Sequence, residues 1–251
     1  PVPEILAEVK AMPRGPLLLV DDNIMGRPSY ARELFAVLRE TGRRWIGQAS
    51  MTMMKTPELI KEAARAGCVA LFVGLETLSQ RNLEAMGKSI NVATRYRELV
   101  KCLHDAGIGI VGSFMFGLDD DDEGVFERTV DFAQKAKIDA CLFSILTPLP
   151  GTRLYERLSS EGRILDHDWS HYDGSHVIMR PQKMRPEQLQ EGFFSAYKWF
   201  YSIPSIVSRA FQSMGRHPFY WYTNLVWRKY LVNWIAGMER RNRQSLHPAE
   251  N

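Results

Sequence analysis

The sequence of 251 residues is poor in cysteine, and its three cysteines stand far apart. Cys68, Cys102 and Cys141 form no CxxC pair, and their odd number argues against a disulfide framework. We expect buried thiols in a reducing compartment, the cytoplasm. The sequence also lacks a signal-peptide pattern and any apolar run long enough to span a bilayer. These absences argue against a disulfide-rich secreted domain.

An excess of charge and the common catalytic signatures are also absent. The net charge is only +3, so nucleic acid is not an expected partner. The motifs GxSxG, HExxH and GxxxxGK[ST] do not occur, which leaves no sign of those hydrolase, zinc-protease and phosphate-loop chemistries. The six histidines are scattered. His167 and His171 stand in a loop-like stretch, where we expect a surface or packing role.

The first two-thirds of the chain repeat a pattern of a short apolar run, a loop and an amphipathic helix. Near-continuous apolar runs predict strands that are buried on both faces. The runs are Leu17–Val20, Trp45–Ala49, Val69–Gly74, Ile108–Phe116 and Ala140–Leu146. The helical patterns are Pro3–Met12, Tyr30–Glu40, Pro57–Ala66, Val92–Ala106 and Glu123–Lys137. This α/β alternation predicts a parallel sheet, either a partial barrel or a doubly wound open sheet.

Polar residues follow each apolar run, at the carboxyl ends where parallel strands bind their ligands. In chain order they are Asp21, Asp22 and Asn23; Gln48 and Ser50; Gly74, Glu76 and Thr77; Ser113, Gly117 and Asp119; and Thr147, Pro148, Pro150 and Gly151. Asp22, Gln48 and Glu76 together predict a binding site at this edge. Any one of them alone fits a helix cap better, and we expect the acidic run Asp119–Asp122 to be a capping cluster.

From about residue 166 the alternation stops and only helical patterns remain. They are Pro186–Tyr201, Ile203–Met214 and Phe219–Met238. We therefore divide the chain into a barrel domain, residues 1–165, and an α-helical C-terminal domain, residues 166–251. The last helix carries an apolar stripe made of Trp227, Tyr230, Leu231, Trp234, Ile235 and Met238. Such a stripe either packs on neighbouring helices, which we favour, or lies at a membrane surface.

Several segments together resemble a known family. They are LLLVDDNI (17–24), WIGQAS (45–50), AGCVALFVGLETLS (66–79), MGKSIN (86–91), LHDAGIGIVGSFMFGLDDDD (103–122) and ILTPLPGTRLYERL (145–158). Their order and spacing over about residues 1–163 resemble the cobalamin-binding radical SAM proteins, downstream of their cluster motif. The segment DWSHYDGSHVIMRPQKMRPEQL (168–189) is similar to the start of the helical C-terminal domain that one branch of the family carries.

The resemblance implies a partial, TIM-like (β/α)6 barrel that here lacks its first strand, since the pattern opens with a helix. In the family that strand leads into a CxxxCxxC loop, which holds a [4Fe–4S] cluster. The cluster cleaves S-adenosylmethionine (SAM) to a 5′-deoxyadenosyl radical, and cobalamin can donate a methyl group to the substrate. CxxxCxxC is absent here. We therefore expect the cluster cysteines and the cobalamin domain upstream of Pro1, and a fragment that is inactive by itself.

The resemblance also implies which residues face the cofactor. Glu76 would accept hydrogen bonds from the SAM ribose or ammonium, and Lys88 would pair with the SAM carboxylate. The other expected contacts are Asp22 and Asn23 near the cluster and substrate, Gln48 and Ser50 near SAM and substrate, Gly74 in the segment of Glu76, Ser113 and Gly117 near the adenosine, and Pro148 near the adenine. The resemblance assigns no catalytic residue and no metal ligand within the chain.

The implied function is that of a radical SAM enzyme, a cobalamin-dependent methyltransferase that acts on an unactivated carbon. The alternatives are a radical cyclase or rearrangement enzyme of the same family, and a barrel that serves as a non-catalytic scaffold. The implied partners are a small-molecule substrate, lipid or isoprenoid included, and an electron donor such as flavodoxin or ferredoxin. Cytoplasmic localisation is expected, with peripheral membrane contact if the stripe of the last helix faces outward.

Overall fold

Five strands in the described part of the chain form one parallel sheet, which curls into half of a barrel. The computed structural model describes residues 2–211 and 218–246. The strands are β1 (Leu17–Leu18), β2 (Trp45–Ala49), β3 (Cys68–Glu76), β4 (Gly109–Phe116) and β5 (Ala140–Ile145). Each strand pairs in parallel with the next one along the chain. The order contains no reversal, so the partial barrel is confirmed and the doubly wound sheet is excluded.

Helices connect the strands, and a further group of helices follows the last strand. They are α1 (Val2–Ala11), α2 (Pro28–Thr41), α3 (Glu58–Arg65), α4 (Gln80–Ala85), α5 (Tyr96–Asp105), α6 (Val125–Lys135), α7 (Arg153–Ser160), α8 (Pro186–Phe200), α9 (Ile203–Ala210) and α10 (Pro218–Leu246). The predicted helix Val92–Ala106 is shorter, because its start forms a separate 3₁₀ turn at Ala93–Arg95. The predicted end of α9 at Met214 lies outside the described residues.

The two faces of the curled sheet differ in burial. On β4, Ile110, Phe114 and Phe116 face the helices and are fully buried, while Val111 and Ser113 on the other face are half-buried. Burial of each large apolar side chain stabilises the fold by about 1.5–3 kcal/mol. The half-buried positions line the inner face of the half-barrel, which is the side where a barrel holds its ligands.

Strand β1 is shorter than its sequence pattern predicts. The predicted strand Leu17–Val20 pairs with β2 only through Leu17 and Leu18, although Leu19 N–H still donates to Ile46 O at 2.8 Å. Leu18 and Val20 are 70% and 75% exposed. The sequence pattern was apolar throughout, but the half-barrel covers only one face of this strand.

The free edge of β5 is closed by two tyrosines, Tyr197 of α8 and Tyr201, which caps the C-terminus of that helix. Tyr197 Oη accepts from Phe143 N–H at 3.0 Å and donates to Phe143 O at 2.8 Å. Tyr201 Oη accepts from Cys141 N–H at 3.1 Å and donates to Cys141 O at 2.8 Å. The tyrosines are one helical turn apart, and therefore reach alternate residues on the strand. Their hydroxyls satisfy the backbone groups that a sixth strand would otherwise bind.

A buried arginine ties α9 to the same edge. Arg209 is fully buried, and its guanidinium donates to the carbonyls of Ile138 and Asp139 at 2.9 and 2.8 Å. It also donates to Asn224 Oδ1 at 3.0 Å and lies 3.8 Å from the centroid of the Phe200 ring. The helices after residue 166 are thus joined to β5 by buried polar contacts; the division into two domains at residue 165 stays a prediction.

The apolar stripe of α10 packs inward for the most part. Leu231, Ile235 and Met238 are buried, and the Trp234 ring lies 6.1 Å from the Phe193 ring of α8. Tyr230, by contrast, is exposed. In the described ranges no helix combines the length and the apolar character needed to cross a membrane. Peripheral contact between α10 and a membrane stays a prediction.

Candidate functional site

The inner face of the half-barrel brings several of the predicted residues into register. Half-buried side chains stand side by side on neighbouring strands. The rows are Gln48–Phe72–Val111 and Gly74–Ser113–Leu142. The structure therefore places Gln48, Gly74 and Ser113 on one concave surface, as expected for residues that share a ligand.

Glu76 ends β3 in a conformation that non-glycine residues rarely adopt. Its φ is 69°, in the left-handed region, and the pairing of β3 with β4 shifts register between Gly74 and Glu76. The carboxylate folds back over Gly74, where an added Cβ would stand 2.6 Å from Glu76 Oε1. Glycine at position 74 is thus what allows the carboxylate to lie against the strand end.

Two buried side chains hold the distorted end of β3. Asn91 Nδ2 donates to Gly74 O at 2.9 Å and to Leu75 O at 3.4 Å. Tyr96 Oη also donates to Leu75 O. These bonds satisfy carbonyls that the bulge takes out of the strand ladder. The conformation of Glu76 is therefore imposed by its surroundings.

Lys88 lies beside Glu76. Lys88 Nζ donates to Glu76 Oε1 at 3.0 Å. The Glu76 side chain is 15% exposed, whereas the Lys88 side chain is 54% exposed. The pair thus consists of a held carboxylate and an ammonium that reaches it from solvent. The two residues that we expect to contact SAM therefore form an ion pair with each other.

A second polar cluster joins the ends of β1 and β2. Asn23 Nδ2 donates to Ser50 Oγ at 2.9 Å and to Thr52 Oγ1 at 3.2 Å. Asn23 Oδ1 accepts from Ser50 N–H at 3.3 Å. The predicted residues Asn23 and Ser50 are therefore brought together, whereas Asp21 and Asp22 are exposed. Thr52 was not predicted; it follows the quoted segment WIGQAS by two residues.

The acidic run after β4 does not form the single helix-capping cluster that we expected. Asp119 binds Arg163 Nη2 and Arg157 Nη1, each at 2.8 Å. Of the four aspartates, Asp122 lies nearest α6, and its Oδ1 accepts from Gly124 N–H at 2.9 Å. The physical reason is that the other three carboxylates bind partners in other segments, which are Arg157 and Arg163 for Asp119, Ser79 and Lys183 for Asp120, and Asn82 for Asp121.

Asp121 is the buried member of this run. Its Oδ2 accepts from the N–H groups of Gly117 and Leu118, both at 3.0 Å, and its Oδ1 accepts from Asn82 Nδ2 at 2.9 Å. Burial raises the pKa of Asp121 to about 7, against the opposing effect of these hydrogen bonds. Asp120 completes the link to α4, since its N–H donates to Asn82 Oδ1 and its carboxylate accepts from Ser79.

Gly117 and Pro148 lie at strand ends but are buried. Gly117 has a φ of 93°, and an added Cβ would stand 2.9 Å from Leu189 and from Met179. The chain after β5 stays close to β4, because Leu146 N–H donates to Phe116 O at 2.8 Å ahead of Pro148. Gly117 is thus covered by the segment and helix that follow β5; its contact with adenosine stays a prediction.

The three cysteines do not fit a metal cluster. Cys68 starts β3 and Cys141 is the second residue of β5, so both stand away from the polar strand ends, and burial raises the pKa of both thiols. Cys102 lies on α5. Within the described residues, no three His, Cys, Asp or Glu side chains are arranged to hold a metal ion.

Sequence reasoning missed the residues that support the site. Asn91 and Tyr96 hold Glu76, while Asn82 and Asp121 join α4 to the end of β4. Asn91 closes the quoted segment MGKSIN, which was a usable signal. Asn82 and Tyr96 occupy helices whose patterns give no sign of these contacts.

Two curated proteins of Chlorobaculum tepidum are similar to this chain in sequence. Bacteriochlorophyllide d C-12(1)-methyltransferase is 37% identical over 190 residues, which are 76% of this chain and 41% of that protein. Bacteriochlorophyllide d C-8(2)-methyltransferase is 26% identical over 229 residues, which are 91% of this chain and 51% of that protein. The chain spans about half, or less, of the length of these relatives.

A solved structure supports the fold. The radical S-adenosylmethionine methyltransferase TsrM of Kitasatospora setae, with cobalamin and a [4Fe–4S] cluster bound, superposes with a TM-score of 0.54 at 15% identity. The match covers 78% of this chain and 39% of that one. The family model described as the Radical SAM superfamily matches residues 1–133, more than half of the chain. The chain therefore belongs to the radical SAM superfamily.

Proposed function

We propose that the protein containing this chain is a radical SAM methyltransferase that uses cobalamin, and that this chain forms the SAM-facing half of its barrel. The two Chlorobaculum tepidum relatives are methyltransferases by name, and the TsrM structure contains cobalamin and a [4Fe–4S] cluster. Membership of the superfamily supports SAM as the cofactor.

The single observation that carries the proposal is the carboxylate of Glu76, a residue whose backbone is held in a strained conformation. Holding a non-glycine residue in the left-handed region costs about 1–3 kcal/mol. Two buried side chains, Asn91 and Tyr96, impose this cost at the carboxyl end of β3. The packing of β3 does not require a carboxylate there, and its one cationic partner among the described residues is the exposed Lys88 ammonium. A ligand that presents both an ammonium and a carboxylate can bind this pair.

The residues fit SAM on chemical grounds. The amino acid part of SAM presents an ammonium and a carboxylate, and Glu76 already accepts a hydrogen bond from an ammonium, that of Lys88. The Lys88 ammonium has three donors. It can therefore keep its bond to Glu76 while another of its donors binds a carboxylate. The missing Cβ at Gly74 leaves room for the Glu76 side chain to lie against the strand.

Cys68, Cys102 and Cys141 do not fit the cluster. In this proposal the thiolates that bind the cluster belong to a part of the protein outside this chain. When bound, the cluster supplies the electron that cleaves SAM, and cobalamin supplies a carrier for the methyl group. The chain's own contribution is to bind and orient SAM through Glu76 and Lys88. Gln48 and Ser113 stand half-buried on the inner face, where they can contact SAM or the substrate.

The substrate that we propose is a tetrapyrrole. The names of both Chlorobaculum tepidum relatives support this class, since each acts on a bacteriochlorophyllide. A lipid or isoprenoid substrate is the second candidate; the exposed apolar residues Tyr222, Leu225 and Val226 on α10 would suit a substrate delivered from a membrane. An electron donor such as flavodoxin or ferredoxin completes the proposed set of partners, and nucleic acid is not among them.

The proposal is tested by following a labelled methyl group. The full-length protein is reconstituted anaerobically with iron, sulfide and hydroxocobalamin, and is given a reductant and SAM with a trideuterated methyl group. A methyltransferase adds that label to a chlorophyllide acceptor, which mass spectrometry detects. A cyclase changes the mass of the acceptor without adding deuterium. A scaffold neither binds nor consumes SAM, and that result would overturn the proposal.

The role of Glu76 is tested by SAM binding. We expect Glu76→Gln to weaken binding by about 10–100-fold, the effect of losing a hydrogen bond between charged groups worth roughly 1.5–3 kcal/mol. Glu84→Gln is the matched control, because Glu84 is an exposed residue of α4 that lies between Glu76 and Lys88 in the sequence. Isothermal titration calorimetry measures both variants. Equal affinities in the two variants would remove Glu76 from the SAM site.

A further inference from the structure

Residues 166–176 form a closed loop, here called the histidine loop, after α7. An antiparallel bridge between Ile164 and Met179 closes its base. Leu165 N–H donates to Ile178 O at 2.9 Å on the same base. Gln190 of α8 fastens the far side, since its Nε2 donates to Ser175 O at 3.0 Å. The loop is therefore fixed both at its base and at Ser175.

The histidine loop lies against the carboxyl end of β5. Ile145 N–H, at the end of that strand, donates to Gly174 O at 2.7 Å. A Cβ placed at Gly174 would stand 3.6 Å from the Cβ of Ser144, which is half-buried on the inner face. The loop thus borders the inner face at the edge where the polar strand ends converge.

Two histidines of this loop face each other as a stacked pair. The rings of His171 and His176 are 4.6 Å apart with an interplanar angle of 28°. His171 Nδ1 binds Asp166 Oδ2 at 2.6 Å, and His176 Nδ1 binds Asp173 Oδ1 at 3.0 Å. Their side chains are 39% and 28% exposed. Among the described residues, neither Nε2 atom has a hydrogen-bonding partner.

This arrangement is the one that prepares an imidazole to bind a metal. A metal-binding histidine uses one ring nitrogen as ligand, while a carboxylate fixes the ring through the other nitrogen. In the His171–His176 pair both Nδ1 atoms are so fixed, which leaves both Nε2 atoms available. We predicted a surface or packing role for His167 and His171; the ring of His171 packs on His176, and its Nε2 atom is still available to a ligand.

The number of ligands decides which metal species fits. A free divalent ion bound by histidine usually takes three or four protein ligands, and the described residues offer no group of that size. A metal at the centre of a tetrapyrrole already has four ring nitrogens and takes a single axial ligand from the protein. One prepared imidazole is therefore enough for a metallotetrapyrrole and too little for a bare ion.

Aromatic residues next to the pair suit the same ligand. Trp169 is 70% exposed, and its ring lies 6.0 Å from the Tyr172 ring with an interplanar angle of 23°. Tyr172 is fixed by a hydrogen bond from its Oη to Asp166 O at 2.8 Å. Trp169 is thus an exposed ring that the half-buried Tyr172 supports from one side, and it offers a flat apolar surface to a large planar ring.

We propose that the histidine loop binds the central metal of a metallotetrapyrrole substrate, with Nε2 of His171 or His176 as the axial ligand. The inference rests on the proposed tetrapyrrole substrate and adds how the ring is held. Axial ligation anchors the macrocycle at the mouth of the half-barrel through its metal, so that ligation and methyl transfer involve different atoms of the substrate.

The test uses zinc protoporphyrin IX, which takes one axial ligand, and metal-free protoporphyrin IX as the matched ligand without a metal. Absorption and magnetic circular dichroism spectra follow the Soret band on titration into the protein. We expect the zinc macrocycle to bind with a red-shifted Soret band. In His171→Ala/His176→Ala that shift disappears and affinity falls at least about tenfold, by analogy with second-shell losses of 10–100-fold. His167→Ala, in the same loop but exposed, keeps the shift.

Binding of the metal-free macrocycle shows whether the double variant is still folded and still able to bind the tetrapyrrole ring. Unchanged affinity for it, with restoration of the zinc shift by added imidazole, supports axial ligation. If the double variant still shows the red-shifted Soret band with the zinc macrocycle, the inference is wrong. It is also wrong if the double variant loses affinity equally for the zinc and the metal-free macrocycle. If the native protein binds neither macrocycle, the inference and the tetrapyrrole class both fail. Transfer of the deuterated methyl group to another acceptor would show that the proposed methyltransferase activity survives that failure.

Discussion

Replacing Tyr201 or Tyr197 by phenylalanine is the sharpest test of how the half-barrel ends. Each hydroxyl accepts from a strand N–H and donates to the carbonyl of the same residue. Both side chains are buried, 2% and 4% exposed. Tyr→Phe removes one oxygen and keeps the ring, so the change is confined to these hydrogen bonds. Each variant leaves one N–H and one carbonyl of β5 without a partner in the core.

The expected loss follows from those two orphaned groups. A buried donor or acceptor left unsatisfied costs about 1–3 kcal/mol, so each substitution, which leaves one of each, should cost about 2–6 kcal/mol. A protein domain is stable by only about 5–15 kcal/mol. The two rings are 6.3 Å apart and stacked, so the losses in the double variant should not add simply. Because the two losses together approach the whole stability of a domain, the double variant should be close to unfolded.

Urea denaturation followed by circular dichroism measures the loss. With an m-value of about 2–3 kcal/mol/M, each single variant should lower the midpoint by about 1–2 M without changing m. Tyr222→Phe is the matched control, since Tyr222 is 70% exposed on α10; it should change stability by less than about 0.5 kcal/mol. If Tyr201→Phe and Tyr197→Phe behave like Tyr222→Phe, the hydroxyls do not close the edge of β5.

Three further predictions address the site and its supports. Glu76→Gly relieves the backbone strain at φ 69° and should leave the thermal midpoint unchanged or higher while SAM binding is lost; a lower midpoint would show that the carboxylate is structural. Burial raises the pKa of Asp121 to about 7, so the folded state keeps a proton that the unfolded chain releases near pH 4, and stability should fall as pH rises from 4 to 7. Asp121→Asn should flatten that slope in urea titrations at several pH values, and an unchanged slope would contradict the assignment. Arg209→Met should cost about 3–5 kcal/mol, because carbonyls and the Asn224 amide lose a buried donor, whereas Arg81→Met at an exposed site should cost under about 0.5 kcal/mol.

The strands and their order were predictable because a parallel sheet leaves a strong local signal. Strands β3, β4 and β5 are apolar runs that are buried on the face toward the helices and half-buried on the inner face, and helix stops such as Gly67 and Gly107 adopt the positive φ that their position requires. The extent of β1 was not predictable, since apolarity alone does not show that Leu18 and Val20 remain exposed. Short helices such as α4 gave too few turns for a periodic pattern.

Within the site, the sequence could indicate which residues stand at strand ends, but not how they are held. Glu76 was predicted from the strand-end pattern and Lys88 from the resemblance, and the structure brings these two residues into contact. The bulge at Gly74 and the amide of Asn91 that supports it depend on residues 15 or more positions apart. Likewise the stacked pair His171–His176 requires a turn at Gly174 that places two histidines face to face, which the sequence of a loop does not indicate.

The two edges of the sheet differ in a way that bears on where the rest of a barrel can join. At β5, tyrosine hydroxyls and Gly174 O occupy backbone groups of Cys141, Phe143 and Ile145, so the addition of another strand there would first have to displace α8 and the histidine loop. At β1, pairing involves two residues, and Leu18 is 70% exposed. An exposed apolar strand edge attracts a further strand. The expected first strand, with its cluster loop, therefore has its most accessible place beside β1, where Asn23 and Ser50 would stand next to it.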